Sequence, residues 1–171
     1  IGTAKPSVKE RQQIPHHLYD ILDPDQYFSA GMYMVRAREI CKEIASRGKI
    51  PIVVGGTGLY FKVFLEGIFE GPGRSESIRN RLHEVARKKG KKYLYNLLRK
   101  KDIETAERIK EGDLVRIIRA LEIYFTTGKR ISDLQAKKVP LEGFNILRIG
   151  IKLPRSILYD RINRRVAKMF D

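Results

Sequence analysis

The segment Pro51-Ile-Val-Val-Gly-Gly-Thr-Gly-Leu-Tyr60 constrains this chain more than any other, because a short apolar run stops on Gly55-Gly56 and resumes as an amphipathic segment. Ile52, Val53 and Val54 are β-branched and too few for a helix, which predicts a buried parallel strand over residues 50–54. The glycines let the backbone turn sharply, and Thr57 stands where it can cap a helix carrying Leu59, Phe61, Val63 and Phe64. Its hydroxyl and the free amides beside it would then face a ligand at the carboxyl edge of the sheet. An ordinary strand-to-helix turn with a capping threonine has the same sequence, so the rest of the chain has to decide.

Around this turn the periodicities alternate. A loop bearing Pro and His (Lys5 to Pro24) leads into a predicted helix from about Ser29 to Arg47, where Met32, Val35, Ile40 and Ile44 recur at helical spacing and Gly48 supplies the stop. The helix after Thr57 ends near Gly67, and Gly71-Pro72-Gly73 marks a boundary. From Glu76 to about Phe125 the patterns are helical: Ile78, Leu82 and Val85; Leu94, Leu97 and Leu98; Ile103, Ala106 and Ile109; Leu114, Ile117, Ile118, Leu121 and Ile123. Residues 146–151 read as a second strand, and Ser156 can cap a closing helix carrying Leu158, Ile162 and Val166. The order predicts an α/β core, residues 1–70 and 141–171, interrupted by a basic helical insertion over residues 71–140.

With 171 residues and 42% hydrophobic content the chain can bury a core. No apolar run approaches the roughly 18 residues of a membrane helix. Its single cysteine, Cys41, excludes an internal disulfide and is expected buried beside Ile40 and Ile44. A reducing compartment, most simply the cytoplasm, is expected.

The net charge of +15 is unevenly spread. Arg87, Lys88, Lys89, Lys91, Lys92, Arg99, Lys100 and Lys101 run without an acidic residue among them and are interleaved with Tyr93 and Tyr95. That is the composition of a phosphate-backbone contact surface, although a solvated helical face can look the same. His16 and His17 lack a second cluster at ligand spacing, so a hydrogen-bonding role in their loop is expected rather than a zinc site.

Further segments carry a resemblance: Ile1-Gly-Thr-Ala-Lys-Pro-Ser7; Ile14-Pro-His-His-Leu-Tyr-Asp20 with Asp23-Pro24 and Tyr27-Phe-Ser-Ala30; and Asp113-Leu-Val-Arg-Ile-Ile-Arg-Ala-Leu-Glu122 with Thr127-Gly128. In this order, over essentially the whole chain, they resemble the tRNA dimethylallyltransferases, also called tRNA isopentenyltransferases. The resemblance implies an α/β fold with a P-loop-kinase-like parallel sheet core, incomplete here, and a helical insertion domain that binds tRNA. It implies nucleotide (ATP-type) binding features and transfer of a dimethylallyl group from dimethylallyl pyrophosphate to N6 of the adenosine 3′ to the anticodon. It further implies a tRNA anticodon stem-loop as partner, a monomer, and Mg²⁺ bound largely through groups outside this chain.

Residue by residue, Thr57, with Gly55 and Gly56, matches the family channel where base and allyl donor meet, so it counts both as catalytic and as a tRNA contact. Arg165 matches the family arginine placed near the pyrophosphate, and Arg161 a second one. Arginines suit that task because a planar fork holds phosphate oxygens bidentately; Arg161, Arg164 and Arg165 stand at i, i+3 and i+4, where all three can point one way. Arg79 falls on a tRNA-contacting position, and Val115, Arg116, Ile117, Ile118 and Arg119 on a stretch that meets the anticodon arm.

The chain departs from the family at Asp102-Ile103, where Asp-Pro is common, and at Phe28. No G-x-x-x-x-G-K-[ST] loop occurs in it, and the family's general base, an Asp upstream of Gly-Thr-Ala-Lys-Pro, has no counterpart, so the chain is expected to be an internal part of a longer enzyme. Two alternatives stand beside the main reading: an adenylate isopentenyltransferase, and a basic RNA-binding module without catalysis.

Overall fold

The computed structural model describes residues 5–69, 71–136 and 138–170. Among them lie nine helices: α1 (Val8–Gln13), α2 (Ala30–Ser46), α3 (Gly58–Glu66), α4 (Glu76–Lys89), α5 (Lys91–Lys101), α6 (Ile103–Arg108), α7 (Leu114–Thr127), α8 (Ile131–Gln135) and α9 (Arg155–Phe170). The chain divides into two units, Ile1–Phe28 with Glu142–Asp171, and Ser29–Leu141.

In the first unit, α1 is a helix where the sequence predicts a loop. Ser7 and Glu10 form a capping box: the Ser7 hydroxyl accepts from the Glu10 amide, and the Glu10 carboxylate accepts from the Ser7 amide at 2.8 Å. Asp20, with φ 53°, turns back to pair with Lys5 and with Arg11, the latter at 2.6 Å. Helix α9 starts at Arg155, so Ser156 lies within its first turn and is not the cap expected of it.

In the second unit, Ser29 caps α2 by accepting from the Met32 amide at 3.1 Å, and Gly48, at φ 69°, follows its end. The helix packs on α3 through Ala37 and Cys41, opposite Val63 and Phe64, with Tyr33 stacked on Tyr60 at 4.4 Å. Burial pushes the Cys41 thiol pKa up, as befits a core cysteine. Met32 and Val35, expected on the buried face, are exposed, because α3 covers the stripe through residues 37 and 41.

Beyond α3 the chain is fixed by two devices. Gly67 ends the helix at φ 81°, ψ 172°, a region open only to glycine, and a Cβ there would overlap the Val139 carbonyl. Arg38 donates from Nε to the Phe64 carbonyl and from Nη1 to the Val139 carbonyl, both at 2.9 Å, while the Leu141 amide donates to the Leu65 carbonyl. Gly90 has a similar backbone, φ 83°, ψ 160°, but open space around it. Gly67→Ala is therefore expected to cost about 1–3 kcal/mol more stability than Gly90→Ala, the excess being the steric overlap. Urea midpoints of the two variants check this, and equal losses would contradict it.

Helices α4 to α8 enclose the main core, built from Leu82, Leu94, Leu98, Ala106, Ile117, Ile118, Leu121, Ile123 and Ile131. Ile103 is not in it; the residue is 53% exposed on the α5–α6 corner. That corner is held by Asp102, which is 2% exposed and accepts from the Thr105 amide and hydroxyl at 3.0 and 2.7 Å and from the Ser132 amide of α8 at 3.1 Å. The aspartate of the Asp102-Ile103 pair is thus the cap of α6 and its tie to α8, a role that the residue following it does not disturb.

The predicted strands are not formed. Among the described residues no strand is present, and residues 50–54 and 146–151 run without a ladder partner. Ile52 and Val54 are 81% and 88% exposed, and Ile149 and Ile151 81% and 91%. A strand exists only through its neighbours' hydrogen bonds, so segments with strand composition and no neighbour stay irregular, and the parallel sheet core is not seen.

Candidate nucleic-acid interface

The eight clustered cations lie on two consecutive helices. Arg87, Lys88 and Lys89 end α4, Lys91 and Lys92 begin α5, and Arg99, Lys100 and Lys101 end it, all exposed. Cations in a last turn complement the helix dipole, whereas Lys91 and Lys92 sit against its positive end with no acidic residue in that turn. Helix stability does not account for them. None of the eight is held by a carboxylate among the described residues. Lys89 lies 4.7 Å over the Tyr93 ring and Lys101 5.2 Å over Tyr124. Tyr95 differs from Tyr93: it is half-buried and donates its hydroxyl to the Ala106 carbonyl, a packing role.

Arg79 and Arg119 are brought together by a residue that sequence reasoning does not single out. Glu122, fully buried in α7, accepts from Arg79 Nε and Nη2 at 3.0 Å each, from Arg119 Nη1 at 2.8 Å and from the Ser75 amide at 2.7 Å. Arg119 Nη2 also donates to the Pro72 carbonyl at 3.0 Å. Burial alone would raise the Glu122 pKa, but the guanidinium and amide donors outweigh it and hold the carboxyl below its ordinary value. Its signal is in the sequence: Glu122 follows Ile118 by four residues, so it occupies the core stripe of α7, where a carboxylate needs cationic partners.

The stretch 115–119 is split by the same stripe. Ile117 and Ile118 are 0% and 1% exposed, so their side chains belong to the core and offer no surface to RNA. Val115 and Arg116 face solvent, Arg116 pairing with Asp113 at 3.0 Å.

Gly55, Gly56 and Thr57 lie together and exposed ahead of α3. Thr57 occupies the cap position, its carbonyl accepting from the Tyr60 amide at 2.9 Å, but its side chain makes no capping hydrogen bond. The hydroxyl is therefore not consumed by the helix. On α9, Arg164 is paired with Asp160, which removes it from the trio expected to act together. Arg161 and Arg165, one turn apart and exposed, pair with no carboxylate among the described residues. His16 is exposed with Nδ1 at 2.7 Å from the Ile14 carbonyl, and no cluster of three His, Cys, Asp or Glu able to hold a metal occurs among the described residues.

The family model described as IPP transferase matches residues 1–171. The chain belongs to the IPP transferase family. Among IPP transferase relatives, it is 49% identical, over 100% of its length and 56% of the relative's, to the tRNA dimethylallyltransferase of Koribacter versatilis. It is 47% identical, over 100% and 55%, to that of Thermotoga neapolitana. Of solved structures, a eukaryotic dimethylallyltransferase acting on tRNA is similar at a TM-score of 0.73 with 28% identity, covering 97% of this chain and 41% of that one. The full-length tRNA isopentenylpyrophosphate transferase of Bacillus halodurans is similar at a TM-score of 0.55 with 37% identity, covering 99% and 52%. The chain spans about half the length of the curated relatives it matches.

Proposed function

We propose that this chain is part of a tRNA dimethylallyltransferase, which moves a dimethylallyl group from dimethylallyl pyrophosphate to N6 of the adenosine 3′ to the anticodon. The observation that carries the reading is the unpaired basic face of α4 and α5, in a chain whose whole length matches the IPP transferase family. Lys91 and Lys92, placed against the helix dipole, are explained by a polyanion and not by the fold. A free nucleotide has no use for so wide a face.

In this reading the adenine N6 amine attacks the allylic carbon while the carbon–oxygen bond to pyrophosphate breaks. The leaving anion keeps the electron pair and gathers charge, which Arg161 and Arg165 would bind through their unpaired forks. The Thr57 hydroxyl, free of a capping role, would meet the substrate at the turn after residues 50–54. The amine proton passes to a general base, a role that falls to neither Thr57 nor the arginines. Mg²⁺ is proposed to accompany the pyrophosphate, and the described residues offer it no ligand cluster of their own. The uncovered β-branched side chains at 50–54 and 146–151 support their joining a P-loop-kinase-like parallel sheet in the assembled enzyme. A cytoplasmic monomer fits this chemistry, and no described helix is long and apolar enough to cross a membrane.

Neutralising Lys88, Lys89, Lys91 and Lys92 together to Gln in the full-length protein tests the RNA face. Fluorescence anisotropy with a tRNA anticodon stem-loop is expected to show weaker binding and a salt slope flatter by up to about 4 units of log K against log[salt], roughly 0.9 for each phosphate that is no longer neutralised. An unchanged affinity and slope would remove α4–α5 from the RNA-binding surface.

A further inference from the structure

The exposed Ile103 and Tyr93 share an open depression of about 510 Å³, lined also by Asn96, Leu97, Arg99 and Lys100. Tyr93, Asn96, Leu97 and Lys100 stand at i, i+3, i+4 and i+7 on α5 and so form one stripe, which Ile103 closes from the first residue of α6. The volume lies in the range of small-ligand clefts. Its chemistry is divided. Tyr93, 43% exposed, and Ile103 offer flat and apolar surface; Asn96 offers an amide with both a donor and an acceptor; Arg99 and Lys100 offer charge that no carboxylate neutralises among the described residues. Packing explains Leu97, but it does not explain a large aromatic ring and an isoleucine left in water beside two unpaired cations.

We propose that this depression binds one unpaired nucleotide of the RNA, its base stacked on Tyr93 and against Ile103, its edge at the Asn96 amide and its phosphate at Arg99 and Lys100. The proposal rests on the RNA-binding reading above and adds to it a defined base pocket. Base–aromatic stacking with a cation nearby is how single-stranded segments are held, and Lys89 over the Tyr93 ring supplies that cation. A base-paired stem presents no free base face, so the occupant is a looped-out or loop nucleotide rather than the duplex backbone.

The test uses the full-length protein and anticodon stem-loops carrying 2-aminopurine at each loop position in turn. One position is expected to change its fluorescence on binding through contact with Tyr93. Tyr93→Ala is expected to abolish that change and weaken binding about tenfold, Tyr93→Phe to preserve both, and Asn96→Ala to weaken binding of the native base at that position. Tyr93→Ala with the fluorescence change and the affinity intact would overturn the pocket, while the RNA reading would stand if the quadruple lysine variant still bound more weakly. Wild-type binding by both variants would overturn the pocket and the basic face together. Weaker binding by Tyr93→Ala with no responsive loop position would also overturn the base pocket, since the residue would then serve only the RNA backbone.

Discussion

Glu122→Gln is expected to destabilise the protein by about 3–5 kcal/mol at pH 7, because it removes one member of a buried charge cluster and leaves the others. The neutral amide keeps the shape but no longer balances two guanidiniums, and its nitrogen is directed at donors instead of accepting from them. The pH dependence follows from the direction of the shift. Glu122 in the folded state holds its proton less tightly than the ordinary glutamate value of 4.5, so its contribution is complete above that pH and is lost as pH falls through the lower folded value. Asp102 behaves in the same sense: burial would raise its pKa, but the Thr105 amide and hydroxyl and the Ser132 amide outweigh it, so its contribution is complete above the ordinary 3.8 and is lost as pH falls through the lower folded value. Urea unfolding at a series of pH values should show wild type losing stability in acid and the gap to Glu122→Gln closing there. A gap that is absent at pH 7, or constant down to pH 2, would contradict the charge cluster.

If Arg165 holds the leaving pyrophosphate as proposed, Arg165→Ala in the full-length protein is expected to reduce turnover by about 10²-fold or more, roughly 3 kcal/mol, since it would remove a charge-assisted hydrogen-bond donor whose interaction strengthens as the carbon–oxygen bond breaks. The Michaelis constant for dimethylallyl pyrophosphate should rise, while affinity for the stem-loop should stay near wild type, since RNA binding is proposed for α4 and α5. Arg165→Lys should recover little, as a point charge does not reproduce the fork. Stability should change by no more than about 0.5 kcal/mol, because the side chain is exposed and unpaired among the described residues. Arg164→Ala provides the internal comparison: its guanidinium is already paired with Asp160, so its effect on turnover should be much smaller. Wild-type steady-state constants for Arg165→Ala would remove Arg165 from the pyrophosphate site.

Helices are legible in the sequence wherever one face is apolar and a cap or glycine marks the end. Ser29 and Gly48 bracket α2, and the Ile117, Ile118 and Leu121 pattern fixes the buried side of α7. Periodicity does not tell which flank of a stripe a neighbouring helix will cover, which is why Met32, Val35 and Ile103 are expected inside and lie outside. The strands fail for a different reason. Composition reports what a segment can pair with, whereas pairing itself takes a neighbour, and no ladder is formed among the described residues. In the candidate site the exposed cations are readable as a cluster, but their status is not. Only geometry separates Arg79 and Arg119, committed to Glu122, from Arg161 and Arg165, and Tyr95, tied to Ala106, from Tyr93, which lines an open depression.

Whether this basic helical unit belongs to an enzyme that prenylates tRNA is decided by mass spectrometry of nuclease fragments of the tRNA, and of the free nucleotide, after the full-length protein is incubated with dimethylallyl pyrophosphate and either tRNA or adenosine monophosphate. Expected are N6-dimethylallyladenosine in the tRNA, confined to the fragment carrying the position 3′ to the anticodon, no prenylated free nucleotide, and a strong reduction in the Lys88, Lys89, Lys91 and Lys92 variant at limiting tRNA. Modification of free adenosine monophosphate in preference to tRNA, or tight stem-loop binding with no transferred allyl group, would contradict it.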